Sequence, residues 1–325
     1  MFSNDSAGVA ALPTFAALDV RAVLENERRG ASIQMDEEYF RGQQLAIDAV
    51  EMASSLTERE TIVSKSLAGY NQIQIGLDSL SQENLNSASV QYRNLLQQLP
   101  EVQYLKRRFP GRCFVVPEWL RTPNAVRYGA RMYFFRDRDS PEPTDILARN
   151  IDAVLSGDNG EFERYQGELL GYPECCREYF SDYDRYEQPG PELAAVEPIV
   201  DAIDESEISR EGPQTSIDDI VDDVDDCPPL YAFFTREFYP DPDCDHARNR
   251  GTSIYETLRD SYPDPVIEDH FRLNAGWSYL MAQTTAPDTE SQSRPPPGVL
   301  GREHHLFYLP LATTVRLYSG DERRE

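Results

Sequence analysis

The chain has 325 residues and a formal net charge of −26, set by 57 acidic against 31 basic side chains, of which only Lys65 and Lys106 are lysines. No basic patch interleaved with aromatics occurs, so nucleic acid is not indicated as a partner, and no apolar run approaches the ~20 residues of a membrane span. Acid excess with lysine nearly absent predicts an acidic, halophilic surface, because dense carboxylates stay hydrated where concentrated salt screens charge to within about 3 Å. Acidity then reports the solvent and names no partner.

The order of patterns predicts a mixed α+β fold, largely helical with a few short strands. Residues 1–110 form a mainly helical region. Its first helix opens at Ala16, Leu18 and Val20, with Arg28 and Arg29 in the last turn and Gly30 as the stop. Asp36 is placed to cap a second helix carrying Tyr39, Phe40, Leu45, Ala46 and Val50 at helical spacing. Residues 83–99 continue the helical pattern, and Pro100 breaks or restarts it before Val102 and Leu105. The basic stretch Gln103–Arg112 reads as a solvated helix end.

Residues 111–186 form a mixed region. Residues 112–116 and 130–135 are strand candidates, 145–155 and 162–170 are helical, and Gly171 is a stop. Residues 187–227 are an acidic low-complexity insertion, 228–283 a second loop of candidate ligands with helices, and 284–298 a proline-rich linker. Residues 299–325 are a C-terminal strand region, with Leu306 to Leu317 as strand or hairpin. The N-terminus lacks a basic leader, so a cytoplasmic location is expected, with the five cysteines as thiols or ligands rather than disulfides.

The chemistry concentrates in two stretches. In GYPECCREYF, residues 171–180, Pro173 suits the first position of a helix and puts Cys175 and Cys176 in its first turn. A helix N-terminus carries roughly half a positive charge, which favours thiolate, both the nucleophile and the metal-binding form of cysteine. Cys176, Tyr179 and Phe180 share one helical face, so Cys176 is also a candidate core residue; Cys175 lies about 100° away. The second stretch is YPDPDCDH, residues 239–246, where two prolines hold the backbone extended. Cys244 and His246 can reach one metal only if the chain turns between them. Together, Cys175, Cys176, Cys244 and His246 make a Cys3His set suited to tetrahedral zinc. Iron is less favoured because iron–sulfur ligation shows CxxC runs.

Cys113 and Cys227 read as structural, with Cys227 a weaker fourth-ligand candidate. His270 reads as a satisfied helical side chain. His304 and His305, adjacent on a predicted strand, would point to opposite faces. Nucleotide-phosphate, HExxH and GxSxG motifs are absent.

The stretch Gly171 to Phe180, followed by an aromatic-Pro-acid-Cys loop, resembles an uncharacterised archaeal family of unknown function with a Gly-Tyr-Pro-x-Cys-Cys signature. The resemblance covers residues 150–285 loosely and implies no particular activity. Three functional classes stay open. One is a metal-binding protein, with Glu174 or Asp243 moving protons if the site is catalytic. A second is a metal-free thiol enzyme with Cys175 attacking and Cys176 resolving. The third is a non-enzymatic structural or interaction protein with core cysteines.

Overall fold

The computed structural model describes residues 8–50, 56–70, 79–97, 99–121, 126–137, 139–158, 160–182, 194–196, 227–285 and 303–319. It opens on helix α1 (Thr14–Leu24), strand β1 (Gly30–Gln34), and helices α2 (Glu37–Ala49), α3 (Thr57–Tyr70), α4 (Gln82–Leu96) and α5 (Pro100–Arg108). Strands β2 (Cys113–Arg121) and β3 (Val126–Phe135) follow, then helices α6 (Pro143–Ser156), α7 (Gly160–Leu170) and α8 (Glu174–Asp182). A short 3-10 turn (Pro228–Ala232) leads to α9 (Asp245–Arg259), α10 (Asp264–Thr285), α11 (Glu303–Leu306) and α12 (Leu311–Tyr318). The fold is thus the expected largely helical α+β type, with one small antiparallel sheet in the order β1-β3-β2.

The sheet is buried on both faces, and the period-2 rule sorts its side chains. Val116, Tyr133 and Phe135 pack with Ile146, Ala153, Phe162 and Leu169 of α6 and α7. Their neighbours Val115, Met132 and Phe134, with Ile33 of β1, join the main core, which runs through the N-terminal and C-terminal helices. On edge strand β2, Asn150 of α6 completes the ladder. Its side chain accepts from Trp119 N at 2.8 Å and donates to Trp119 O at 2.8 Å. This amide closes a strand edge that would otherwise offer free pairing groups.

The local signals act as their chemistry requires. The Asp36 carboxylate accepts from Tyr39 N and caps α2. Pro100 starts α5, which buries Val102 and Leu105 and ends on Lys106, Arg107 and Arg108. Leu45, by contrast, is 52% exposed and lies off the apolar face of α2.

Gly30 does not stop α1. The helix ends at Leu24, Asn26 turns the chain at φ 77, and Gly30 opens β1 opposite Phe135, whose ring leaves no room for a Cβ. Arg28 therefore leaves the helix end and is buried, paired with Asp19 and stacked 5.6 Å over Phe234. Burial raises the Asp19 pKa to about 6 against the pull of Arg28. The C-terminal segment is helical where a strand was expected. Pro310 precedes α12, and Thr314, a β-branched residue suited to strands, spends its hydroxyl on Leu306 O at 2.9 Å. The expected linker begins within α10, which continues to Thr285. The acidic insertion, apart from helical and buried 194–196 and its last residue Cys227, and residues 286–302 lie outside the described residues. No helix among the described residues is long and apolar enough to cross a membrane.

The close approach of α9 to the 3-10 turn depends on Gly251, where a Cβ would lie 1.6 Å from Tyr231 O. Backbone cannot yield as a side-chain tip can. Gly251→Ala is expected to lower stability by about 1–3 kcal/mol or more despite alanine's better helix propensity, read from the urea midpoint.

Candidate metal centre

Two helix starts converge to form the site. The first is fixed by the end of α7. Gly171 takes φ 87, with Gly171 N bonded to Glu168 O at 3.1 Å and Tyr172 N to Gly167 O at 2.9 Å. This is a Schellman stop, and it turns the chain directly into α8. Pro173 stands one residue ahead of α8 rather than inside it, and its carbonyl accepts the first helical bond, from Arg177 N. Cys175 and Cys176 are then the second and third helical residues.

The second start is the loop before α9. Asp241 Oδ1 accepts from Asp243 N at 2.9 Å, and Asp241 O accepts from Cys244 N at 3.1 Å. These bonds make the turn that YPDPDCDH needed. Cys244 occupies the N-cap of α9, and His246 falls in its first turn.

Aromatic stacking clamps the two starts together. Tyr172 lies 4.4 Å from Phe234 and 4.6 Å from Phe238, and Phe180 of α8 lies 5.0 Å from Phe238 and 5.8 Å from Tyr239. Phe238 also covers Gly167, where a Cβ would meet its ring at 2.6 Å. The loop is tied to the sheet one residue earlier, through Glu237 and Arg131.

The ligand atoms of Cys175, Cys244 and His246 all lie within 4.8 Å of one another, close enough to hold a metal ion. Cys175 Sγ and Cys244 Sγ are 2.9 Å apart. In tetrahedral zinc thiolates, Zn–S bonds of about 2.3 Å put sulfurs about 3.8 Å apart, so moving these two sulfurs apart by a further ~1 Å admits the ion. Cys244 is buried, while Cys175 and His246 lie at the surface, so the cluster is reachable from solvent. Cys176 is fully buried in the main core, as its shared face with Phe180 suggested, yet its thiol also meets Cys244. It stands beside the trio rather than within it. Glu174 begins α8, exposed and outside the trio. Asp243 is exposed on the turn.

The thiol acidities correct one expectation. Burial pushes the Cys176 pKa well up, and burial followed by the Cys244 contact raises that of Cys175. Desolvation and sulfur–sulfur crowding outweigh the helix dipole while no cation neutralises the sulfurs. The other candidates lie elsewhere. Cys113 heads β2 with its pKa pushed up by burial to about 12, and Cys227 is buried beside the 3-10 turn, its pKa also raised by burial. His304 and His305 lie on α11, a helix and not a strand. His270 is buried in α10, and its Nδ1 has no hydrogen-bond partner among the described residues, so it is not the satisfied side chain its sequence context suggested.

No protein-family model, no curated protein and no solved structure matches the chain. The functional reading therefore rests on the site itself.

Proposed function

We propose that this protein binds one divalent metal ion, zinc in preference to iron, between the starts of α8 and α9. Cys175, Cys244 and His246 supply three ligands and Cys176 the fourth. The observation that carries the reading is the convergence of two thiols and an imidazole within 4.8 Å from segments about seventy residues apart in sequence. Mixed sulfur and imidazole donors suit zinc, whereas hard cations favour oxygen. The ion neutralises sulfurs that burial otherwise keeps protonated, and both helix dipoles point toward the bound thiolates. Bound by four ligands, it staples α8 to α9. On this reading Gly-Tyr-Pro-x-Cys-Cys is one half of a metal site, and it is the signature through which we place the chain with the archaeal family it resembles.

Cobalt substitution tests this. Co(II) titrated into metal-free protein is expected to give thiolate charge-transfer absorption saturating at one equivalent, reduced by about a third in Cys176→Ser. Intensity unchanged in Cys176→Ser would leave that thiol in the core and the fourth position to water. No charge-transfer absorption in the wild type would contradict the reading.

The same 2.9 Å contact supports a second reading, a metal-free dithiol. Its partner for Cys175 is Cys244, not the adjacent Cys176. The raised thiol pKa values count against it, since thiolate is the reactive form. It requires rapid alkylation of Cys175 in protein as purified, where a bound metal would protect it.

A further inference from the structure

A second polar cluster lies on the loop that carries Cys244, around Arg236. Its guanidinium sits 4.5 Å from the Trp277 ring, 4.8 Å from Phe15 and 5.3 Å from Tyr308. It donates one hydrogen bond, from Nη2 to Tyr308 Oη at 2.9 Å. No carboxylate among the described residues lies within ion-pair distance of it. The acids nearby are committed elsewhere. Glu237 pairs with Arg131 and accepts from Gln34 N, and Asp36 caps α2 and accepts from Gln34 Nε2 at 2.8 Å. A guanidinium has five donors, and Arg236 lines a cleft together with Phe15, Trp277, Tyr308, Asp36 and Glu237.

A second small pocket shares Phe15, Arg236 and Trp277 with the first and is also lined by His270 and Asn274. His270 is 2% exposed, and its Nδ1 has no partner among the described residues. Asn274 Nδ2 donates to Phe233 O at 2.9 Å, which fixes the amide orientation, and the same nitrogen lies 3.5 Å from His270 Nε2. An amide nitrogen only donates, so Nε2 accepts and the ring proton sits on Nδ1. Burial, with Arg28 and Arg236 nearby, holds the His270 pKa down to about 3, so the ring is a neutral donor. The cleft thus offers a planar guanidinium fork whose one acceptor among the described residues is the Tyr308 hydroxyl, and a buried N–H donor with no acceptor among them.

We infer that the Arg236–His270 cleft is a binding site for a carboxylate, held by the Arg236 fork and the His270 Nδ1–H between the rings of Phe15, Trp277 and Tyr308. A singly charged acid is favoured over phosphate, because Asp36 and Glu237 line the same cleft and repel a dianion. The inference stands apart from the metal centre, which uses none of these residues.

Sodium acetate titrated at constant ionic strength, with chloride as the replaced anion, tests it. In 15N-histidine protein, which has four histidines, the His270 Nδ1 resonance is expected to shift saturably. The shift is expected to persist after chelator treatment. Arg236→Gln should weaken acetate binding roughly tenfold or more, and Arg236→Lys, which keeps the charge but loses the fork, should also weaken it. No saturable shift in the wild type would overturn the inference without reference to any variant. Saturation by phosphate but not acetate would overturn the choice of carboxylate.

Discussion

Replacing Arg131 with leucine is expected to destabilise the protein by about 3–5 kcal/mol, because it strands the buried Glu237 carboxylate and the half-buried one of Glu118. Arg131 is 6% exposed on β3 and pairs with Glu118 of the neighbouring strand and with Glu237 of the loop before Cys244. Glu237 has a side chain only 3% exposed. Gln166 Nε2 of α7 extends the network to Glu118 Oε1 at 3.0 Å and Tyr133 Oη at 3.1 Å. Removing the cation leaves acids that must be protonated or hydrated at the cost of the fold. Removing all three charges together, Arg131→Leu with Glu118→Leu and Glu237→Leu, is expected to recover a large part of the loss, since an apolar trio of similar volume leaves no charge unpaired. Denaturant unfolding of the single and triple variants measures both; a triple variant no more stable than the single one would show that the network is not the cause.

Cys244→Ser should be comparably costly by a different route. Cys244 meets both cysteines of α8, and it also heads the helix bearing His246. Serine there removes a central ligand, so the variant should lose metal and stability together. A ligand a thousandfold above its dissociation constant contributes about 4 kcal/mol, and a loss of that order is expected. Chelator should lower the wild type to the level of Cys244→Ser and leave the variant unchanged. A variant that still responds to chelator would show that the metal sits elsewhere. Cys227→Ala, buried away from the cluster, should leave metal content at the wild-type level.

The legible parts of the sequence were those where one residue type answers one local backbone demand. Asp36 capped its helix, Pro100 restarted one, and Gly171 took the left-handed stop. Cys175 and Cys176 fell at a helix start, and the wheel argument separated the surface thiol from the core thiol. The misread elements were set by distant packing. Strand β1, only five residues long, exists because β3 pairs with it across a hundred residues. The run from Leu311 has strand-like Thr313, Thr314 and Val315, yet Thr314 bonds to Leu306 O and Thr14 Oγ1 and the segment winds as helix. Arg131 in an apolar strand gave no sign of its two acids, one of them 106 residues away. The Arg236 cleft was likewise invisible, because its walls come from α1, the loop before α9, α10 and the turn after α11. The pairing of Cys244 with His246 depended on a turn that two prolines seemed to oppose. The Asp241 bonds to Asp243 and Cys244 supply it.

The most direct test of the metal centre is elemental analysis of untagged protein purified without chelator, beside the Cys175→Ser/Cys176→Ser double variant. About one equivalent of zinc per chain in the wild type and none in the variant is the predicted result, as expected for a closed sulfur and imidazole site. Metal-free wild-type protein that also fails to take up added zinc would contradict it, and so would equal metal in both proteins.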